Sequence, residues 1–326
     1  MNHDEDIQAQ LEALPPELQE TIKKQPPGIR ETMLRLYHKS LVNEAREEAE
    51  KIRATISPGG QATPQQMWAP CAKMPSDMCR VSPFFPLSKQ EMARREYVRD
   101  LTITKSSWGE IKYTGPRLSV YEEDVLLAVL ALLDQGAPSY TYNGPLLPVL
   151  RLMGYEKYGG ADYKKILGAL KLLIGTVIEL TVSRKKGKKP KLLFASNIIS
   201  AAKWDDEKQE LHVAVNPYFA ELYAKGGVTL LDVQERMQLK TQVARALYRF
   251  CQSQNNLTDM HFMTLAAALN LDLEAPAFRT RDRIKKAITE LVKHGILDNE
   301  SGFRGKDIVR LARTPQSRIR HKLIEG

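Results

Sequence analysis

The chain has 326 residues, of which 43% are apolar and 27% charged, and its formal net charge is +9 at pH 7. This length allows two modest domains and an extension, each domain with a core of its own. The most apolar stretches, 125–133 and 166–178, fall short of the roughly 20 residues of a bilayer span, and Lys171 interrupts the second. A membrane span is not expected, and the charge favours a polyanionic partner, either nucleic acid or an anionic membrane surface.

Residues 1–66 are predicted to form a helical extension and a linker. Two Pro-Pro pairs, at 15–16 and 26–27, break the first part into short helical pieces. A helix that ends near Arg53 is then predicted, with apolar side chains every four residues down one side. These are Ile29, Met33, Tyr37, Leu41, Ala45 and Ala49. Such a narrow stripe suits either pairing with another helix or packing on the protein's own body. Ser57–Gln66 has the composition of a linker.

From Tyr97 onward the pattern predicts short strands between helices. Ser119 and Glu122 have the spacing of a capping box, which predicts that a helix starts here and runs to about Leu133. The other predicted elements of this part are strands at 97–104, 110–114, 140–142, 177–183, 191–195 and 211–215, and helices at 146–153, 162–174 and 217–225.

The last hundred residues repeat that order in a shorter form. Thr241 is expected to cap a helix, a short helix follows at 264–269, and a basic helix at 279–293 ends at Gly295, which suits a left-handed C-terminal position. Two strands, 296–299 and 307–311, are predicted to complete a hairpin. Both parts therefore give helix, short strand, helix, basic helix and hairpin.

This order predicts an α+β protein with two tandem winged helix-turn-helix domains behind an N-terminal helical extension. In that arrangement the third helix enters a major groove of DNA and the hairpin, or wing, touches the backbone. The predicted boundaries are 1–66 for the extension, 67–226 for the first domain and 227–326 for the second.

The second basic helix carries the residues best suited to reading bases. Its predicted core face consists of Ile284, Ile288, Leu291 and Val292. The predicted DNA-binding residues are Arg279, Arg281, Arg283, Lys285 and Lys286 on the helix, with Arg304 and Lys306 on the hairpin. Arginine near the start of such a helix can bind guanine O6 and N7, whereas lysine more often contacts phosphate. The alternative is that these side chains only form a solvated helix face.

The first copy is predicted to bind phosphates more than bases, because its basic helix has no arginine. Lys164, Lys165 and Lys171 line the polar side of that helix. The wing is the densest basic feature of the chain and includes Arg184, Lys185, Lys186, Lys188, Lys189 and Lys191. Such a loop suits the minor groove or the phosphate backbone, although a charged hairpin tip can also serve solubility alone.

Catalytic motifs are missing from the sequence. The six histidines are isolated from one another, and neither a phosphate-binding GxxxxGK[ST] loop nor a zinc-spaced set of Cys and His is present. No catalytic residue, cofactor or metal is predicted, and the protein is not expected to be an enzyme. The three cysteines form no CxxC pair and the acidic N-terminus does not read as a signal peptide, so a bacterial cytoplasm is expected.

Three segments resemble the TrfA-type plasmid replication initiators. They are WAPCAKMPSDMCRVSPFF at 68–85, IKYTG at 111–115, and LKTQVARALYRF at 239–250, where Thr241, Ala244 and Arg245 fall on the family's helix start. The resemblance covers residues 67–313. It implies a protein that binds directly repeated sites (iterons) in double-stranded DNA at a plasmid origin and helps to open an AT-rich segment. It also implies a host replicative helicase and host initiator as partners, and a dimer in balance with the monomer.

Other classes of protein remain open at this point. A winged-helix transcriptional regulator, or repressor, would use the same domains on operator DNA, and would bind one inverted repeat at a promoter instead of several direct repeats. A structural protein that coats DNA without sequence preference is a further alternative. The arginines of the second basic helix argue against it, because arginine can read bases. An enzyme is the least favoured.

Overall fold

The computed structural model of the chain describes residues 71–80, 82–105, 109–133, 140–182, 191–217, 228–254, 256–315 and 317. All of them belong to one unit that spans residues 65–324. A separate unit, 1–64 with 325–326, lies outside the described residues, and with it the amphipathic helix predicted to end near Arg53. The helix predicted at 217–225 also lies outside them, apart from its first residue.

The first part of the described chain alternates strands and helices. Its elements are β1 (Cys71–Pro75), α1 (Ser76–Arg80), α2 (Lys89–Ala93), β2 (Tyr97–Lys105), β3 (Gly109–Pro116), α3 (Val120–Leu132), β4 (Thr141–Pro145), α4 (Leu147–Leu152), α5 (Gly160–Ile174), β5 (Val177–Val182), β6 (Lys191–Ser196), β7 (Ile199–Asp205) and β8 (Glu210–Val215). The strands and helices predicted between Tyr97 and Val215 are present, whereas the elements at 71–93, 228–238 and 260–261 were not predicted. Strand β7 was not predicted either, because Ile199 is its one fully buried side chain and the apolar alternation is therefore weak.

The second part repeats the order in shorter elements. These are β9 (Val228–Asp232), α6 (Val233–Gln238), α7 (Gln242–Ser253), β10 (Met260–His261), α8 (Phe262–Ala268), α9 (Ala277–Lys293), β11 (Gly302–Arg304) and β12 (Ile308–Arg310). The strand predicted at 296–299 shortens to one antiparallel bridge between Leu297 and Arg313, and the first strand of the hairpin is β11 instead. Ile296 and Leu297 are buried directly behind α9, and Asp298 then starts a turn in which its carboxylate accepts a hydrogen bond from the Glu300 amide at 2.8 Å.

Local signals in the sequence set the ends of the main helices. The Ser119 amide donates to the Glu122 carboxylate at 2.6 Å and the Ser119 hydroxyl accepts from the backbone, which completes the predicted capping box of α3. The Thr241 hydroxyl accepts from the Ala244 amide at 3.2 Å and caps α7. Gly295 follows α9 with a φ of +69°, the left-handed conformation predicted for it.

The strands form antiparallel sheets of two to four strands. The largest has the order β2-β3-β5-β6, and a three-stranded sheet has the order β4-β8-β7. In the second part, β12 lies between β10 and β11, with Met260 and Phe303 both opposite Val309. The helices pack beside these small sheets, so the fold is a mixture of α and β elements, as predicted.

Both parts of the chain contribute to one hydrophobic core. Helix α3 is buried over most of its length, and α7 is buried along most of its residues. Strand β1 pairs with β9 across the predicted domain boundary, with Met74 opposite Thr229. The described residues contain no helix with both the length and the apolar character of a bilayer span.

Candidate nucleic-acid interface

Helix α9 has a buried side and an exposed side along its whole length. The buried side consists of Thr280, Ile284, Ala287, Ile288 and Leu291, which includes three of the four predicted core residues; the fourth, Val292, is half-buried. The opposite stripe, with spacings of i, i+4, i+7 and i+11, is exposed and consists of Phe278, Asp282, Lys285 and Thr289. The helix therefore packs through its predicted face and presents the opposite stripe to solvent.

Arg281 lies at the edge of this stripe and is bound within the protein. Its Nη2 donates to Asp307 Oδ1 at 2.7 Å, and its guanidinium carbon lies 4.5 Å from the centroid of the Phe262 ring. Asp307 belongs to the turn between β11 and β12, and Phe262 begins α8. Arg281 thus links the basic helix to the hairpin through a charge-assisted hydrogen bond, and to the preceding helix through a cation–π contact.

Arg283 lies at the other edge and contacts a different part of the chain. Its Nη2 donates to the carbonyl oxygen of Pro86 at 2.9 Å. Pro86 precedes α2, so this bond joins the second basic helix to the segment between β1 and β2. In this conformation Arg283 positions the helix against its own protein.

The remaining predicted cations of the second part are exposed. Arg279 and Lys285 point to solvent, whereas Lys286 binds Asp282 one turn earlier at 2.7 Å. On the hairpin, Lys306 is exposed and Arg304 lies 4.0 Å from a carboxylate oxygen of Asp259. Exposed pairs of this kind exchange readily for other partners, because they contribute at most about 1 kcal/mol.

The basic helix of the first part, α5, has the same two-sided character. Ile166, Ala169, Leu170 and Leu173 are buried, while Lys164, Lys165 and Lys171 are exposed. Lys165 Nζ donates to Asp162 at 3.0 Å, and this hydrogen bond, with one from the Gly159 amide, lowers the pKa of Asp162. Lys164 and Lys171 have no such carboxylate partner among the described residues.

Most of the predicted wing of the first part lies outside the described residues. This applies to Arg184, Lys185, Lys186, Lys188 and Lys189. Lys191 is the first residue of β6, where it pairs with Val182 of β5. The two strands that carry the basic loop are therefore in place.

A buried cluster of charges joins the first and second parts of the fold, and sequence reasoning missed it. Its members are Glu123 and Asp124 of α3, Arg236 of α6, and Arg245 and Arg249 of α7. The side chains of Glu123, Asp124, Arg236 and Arg249 are fully buried, and that of Arg245 is 21% exposed. We call this group the ion cluster.

The hydrogen bonds of the ion cluster converge on two carboxylates. Glu123 Oε2 accepts from Arg236 Nη2 at 2.8 Å and from Arg249 Nη1 at 2.6 Å. Asp124 accepts from Arg236 Nε at 2.7 Å through one oxygen and from Arg245 through the other. Burial alone would raise the pKa of Glu123, but the guanidiniums of Arg236 and Arg249 outweigh it and hold this pKa below its ordinary value.

The arginines of the ion cluster also hold backbone groups between helices. Arg236 Nη1 donates to the carbonyl of Arg245 at 2.9 Å, and Arg245 Nε donates to the carbonyl of Leu239 at 2.8 Å. The sequence does hold a faint signal for this cluster. Arg245 and Arg249 are one turn apart in a helix whose other residues are largely buried, and buried arginine needs a carboxylate partner.

Residues 109–252 match the family model described as "Initiator Replication protein, WH1". Proteins called RepFIB replication protein A, from Salmonella typhi and from Escherichia coli strain K12, are each 27% identical to this chain over 145 residues. The match covers 44% of this chain and 43% of each relative, so the chain spans less than half the length of these curated relatives. The sequence comparisons confirm the predicted resemblance to replication initiators.

A solved structure shares the overall fold at low sequence identity. A crystal structure of domains 2 and 3 of RctB has a TM-score of 0.51 and 13% identity, and covers 73% of this chain and 98% of that one. This likeness concerns the fold alone. A crystal structure of the Pi initiator protein in complex with iteron DNA has a TM-score of 0.42 and 17% identity, covering 60% of this chain and 90% of that one.

Proposed function

We propose that the chain is a plasmid replication initiator that binds repeated double-stranded DNA sites, or iterons, at an origin. The observation that carries the proposal is the match of residues 109–252 to the initiator model. Helix α5 and the hairpin strands β5 and β6, which hold the predicted DNA contacts of the first part, lie within this match. The net charge of +9 agrees with a polyanionic partner.

Both parts of the fold act as winged helix-turn-helix domains in this proposal. In the first, α3, α4 and α5 precede the hairpin of β5 and β6; in the second, α7, α8 and α9 precede the hairpin of β11 and β12. Helices α5 and α9 enter successive major grooves, and the hairpins contact the backbone. The domains are 67–226 and 227–326, behind the extension of residues 1–66.

The cations divide into those that meet DNA and those that position the domains. Arg279 reads a base, because it is an exposed arginine at the start of α9. The phosphate contacts come from Lys285, Lys286, Arg304, Lys306, Lys164, Lys165, Lys171 and the basic loop at 184–191. Arg281 and Arg283 hold α9 against the hairpin and against Pro86, and they affect base recognition through that placement.

The further steps of initiation follow from the resemblance to initiators. Binding to the repeats favours a bent or strained duplex and thereby helps to open an adjacent AT-rich segment. The host replicative helicase and the host initiator are the partners recruited there, and self-association as a dimer regulates the amount of active monomer. A bacterial cytoplasm is the setting.

The test is a selection from random duplex DNA at physiological salt, followed by location of the recovered sites on the replicon that encodes the protein. We expect one motif, present as spaced direct repeats beside an AT-rich segment. A single inverted repeat at a promoter would instead support the transcriptional regulator. Absence of any enriched motif would contradict sequence-specific binding altogether.

A further inference from the structure

We infer that Phe278 reads the 5-methyl group of a thymine, beside a guanine read by Arg279. The inference rests on the proposed function, in which α9 lies in a major groove.

Phe278 is the most exposed large apolar side chain in the described part of the chain, at 66%. It lies in the first turn of α9, on the stripe that runs through Asp282, Lys285 and Thr289 away from the core. Lys285 and the neighbouring Arg279 are exposed cations, and the carboxylate of Asp282 is paired with Lys286 at 2.7 Å. The surroundings of Phe278 therefore suit an anionic surface with an apolar feature in it. A thymine in the major groove has both properties, since its methyl group projects between the phosphate backbones.

Arg279 stands beside this ring and is available to a ligand. Its guanidinium carbon lies 5.8 Å from the centroid of the Phe278 ring. Arg281 and Arg283 both donate hydrogen bonds within the protein, whereas the side chain of Arg279 has neither a hydrogen bond nor an ion pair with any other described residue. Arg279 therefore keeps all its donors for a base edge.

The distance between the Phe278 ring and the Arg279 guanidinium fits the spacing of neighbouring bases in one strand of DNA. Arginine binds guanine O6 and N7 with two hydrogen bonds, and phenylalanine makes apolar contact with the thymine methyl group. Successive bases rise by about 3.4 Å, so a separation of 5.8 Å places the two contacts within two base-pair steps of each other. The expected element of the binding site is thus a thymine one or two positions from a guanine.

The experiment replaces each thymine of the selected site, one at a time, by deoxyuridine, which removes only the methyl group. Wild-type protein, Phe278→Ala and Leu273→Ala are compared by fluorescence anisotropy. Leu273 is a matched control, because it is 49% exposed but lies in the turn before α9. At one thymine near a guanine, we expect deoxyuridine to weaken wild-type binding by about four-fold, the effect of one buried methyl group.

The variants then assign that effect to a side chain. Phe278→Ala should bind the thymine and deoxyuridine sites equally well, whereas Leu273→Ala should keep the four-fold preference. A site without thymine near guanine, or a preference that survives in Phe278→Ala, would overturn the inference while leaving sequence-specific binding intact. Equal weakening by Phe278→Ala on all duplexes, including unrelated ones, would also overturn it. Failure of the wild-type protein to select any motif is a failure of the proposed function instead.

Discussion

Replacing Glu123 by glutamine tests how strongly the ion cluster holds the fold together. The substitution keeps the shape of the side chain but leaves Arg236 and Arg249 bonded to a neutral oxygen. Hydrogen bonds to charged groups contribute about 1.5–3 kcal/mol, against about 0.5–1.5 kcal/mol for neutral ones. Two such bonds are weakened, and a buried positive charge loses its compensation, so we expect a loss of about 3 kcal/mol, the lower end of the range for a broken buried pair.

The measurement is equilibrium unfolding in urea by circular dichroism, with Glu207→Gln in the exposed turn between β7 and β8 as the control. Each kcal/mol corresponds to roughly 2–4 °C in Tm for a domain of this size, so Glu123→Gln should also lower Tm by roughly 6–12 °C. A loss below about 1 kcal/mol, the level of an exposed pair, would refute the assignment of a buried, ionised Glu123.

The difference in stability between the wild type and Glu123→Gln is expected to depend on pH in a defined direction. The pKa of Glu123 is lowered in the folded protein, so its contribution is complete above the ordinary value of 4.5 and is lost as the pH falls through the folded pKa. A protonated glutamate resembles glutamine. The difference in stability between wild type and Glu123→Gln should therefore be constant from pH 8 to pH 5 and should shrink below pH 4.5.

Three further outcomes are expected. The double variant Lys164→Ala, Lys171→Ala should weaken binding to all duplexes and reduce the slope of log K against log salt by about 2, as two phosphate contacts require, when binding is titrated from 50 to 200 mM salt. Burial raises the pKa values of Cys79 and Cys251 to about 12, so iodoacetamide at pH 8 should label both far faster in urea than in the native protein, as read by mass spectrometry. Ser119→Ala should cost about 1 kcal/mol in urea unfolding, because the amide at the start of α3 loses its hydroxyl acceptor.

The parts of the fold that depend on neighbours in sequence were predictable. Ser119, Thr241 and Gly295 mark helix ends through contacts that span three or four residues, and the structure has each of them in the predicted role. The buried sides of α5 and α9 also follow from helical periodicity alone. The strand predicted at 296–299 shortens to the Leu297–Arg313 bridge, because after the left-handed turn at Gly295 the amides of Ile296 and Leu297 bond back to the Leu291 carbonyl of α9.

The contacts that join distant segments could not be predicted from the sequence. Arg236 and Asp124 are separated by 112 positions, and no local pattern indicates which of many carboxylates an arginine will meet. The same holds for Arg281, which as a sequence feature is one more exposed cation on a basic helix. Its bond to Asp307 depends on how the hairpin packs. The predicted DNA-binding residues themselves stay predictions until binding is measured.

The pairing of β1 with β9 has a consequence for synthesis on the ribosome. Ser76 and Thr229, whose hydroxyls lie 2.9 Å apart at this junction, are separated by 153 positions in the chain. At about 5–20 residues per second, roughly 8–30 s pass between the emergence of one and the other. Throughout that interval the segment that becomes β1 has no partner, and unpaired strand edges invite aggregation. A nascent chain that stalls before Val228 therefore prolongs the time for which the β1 segment lacks its partner strand.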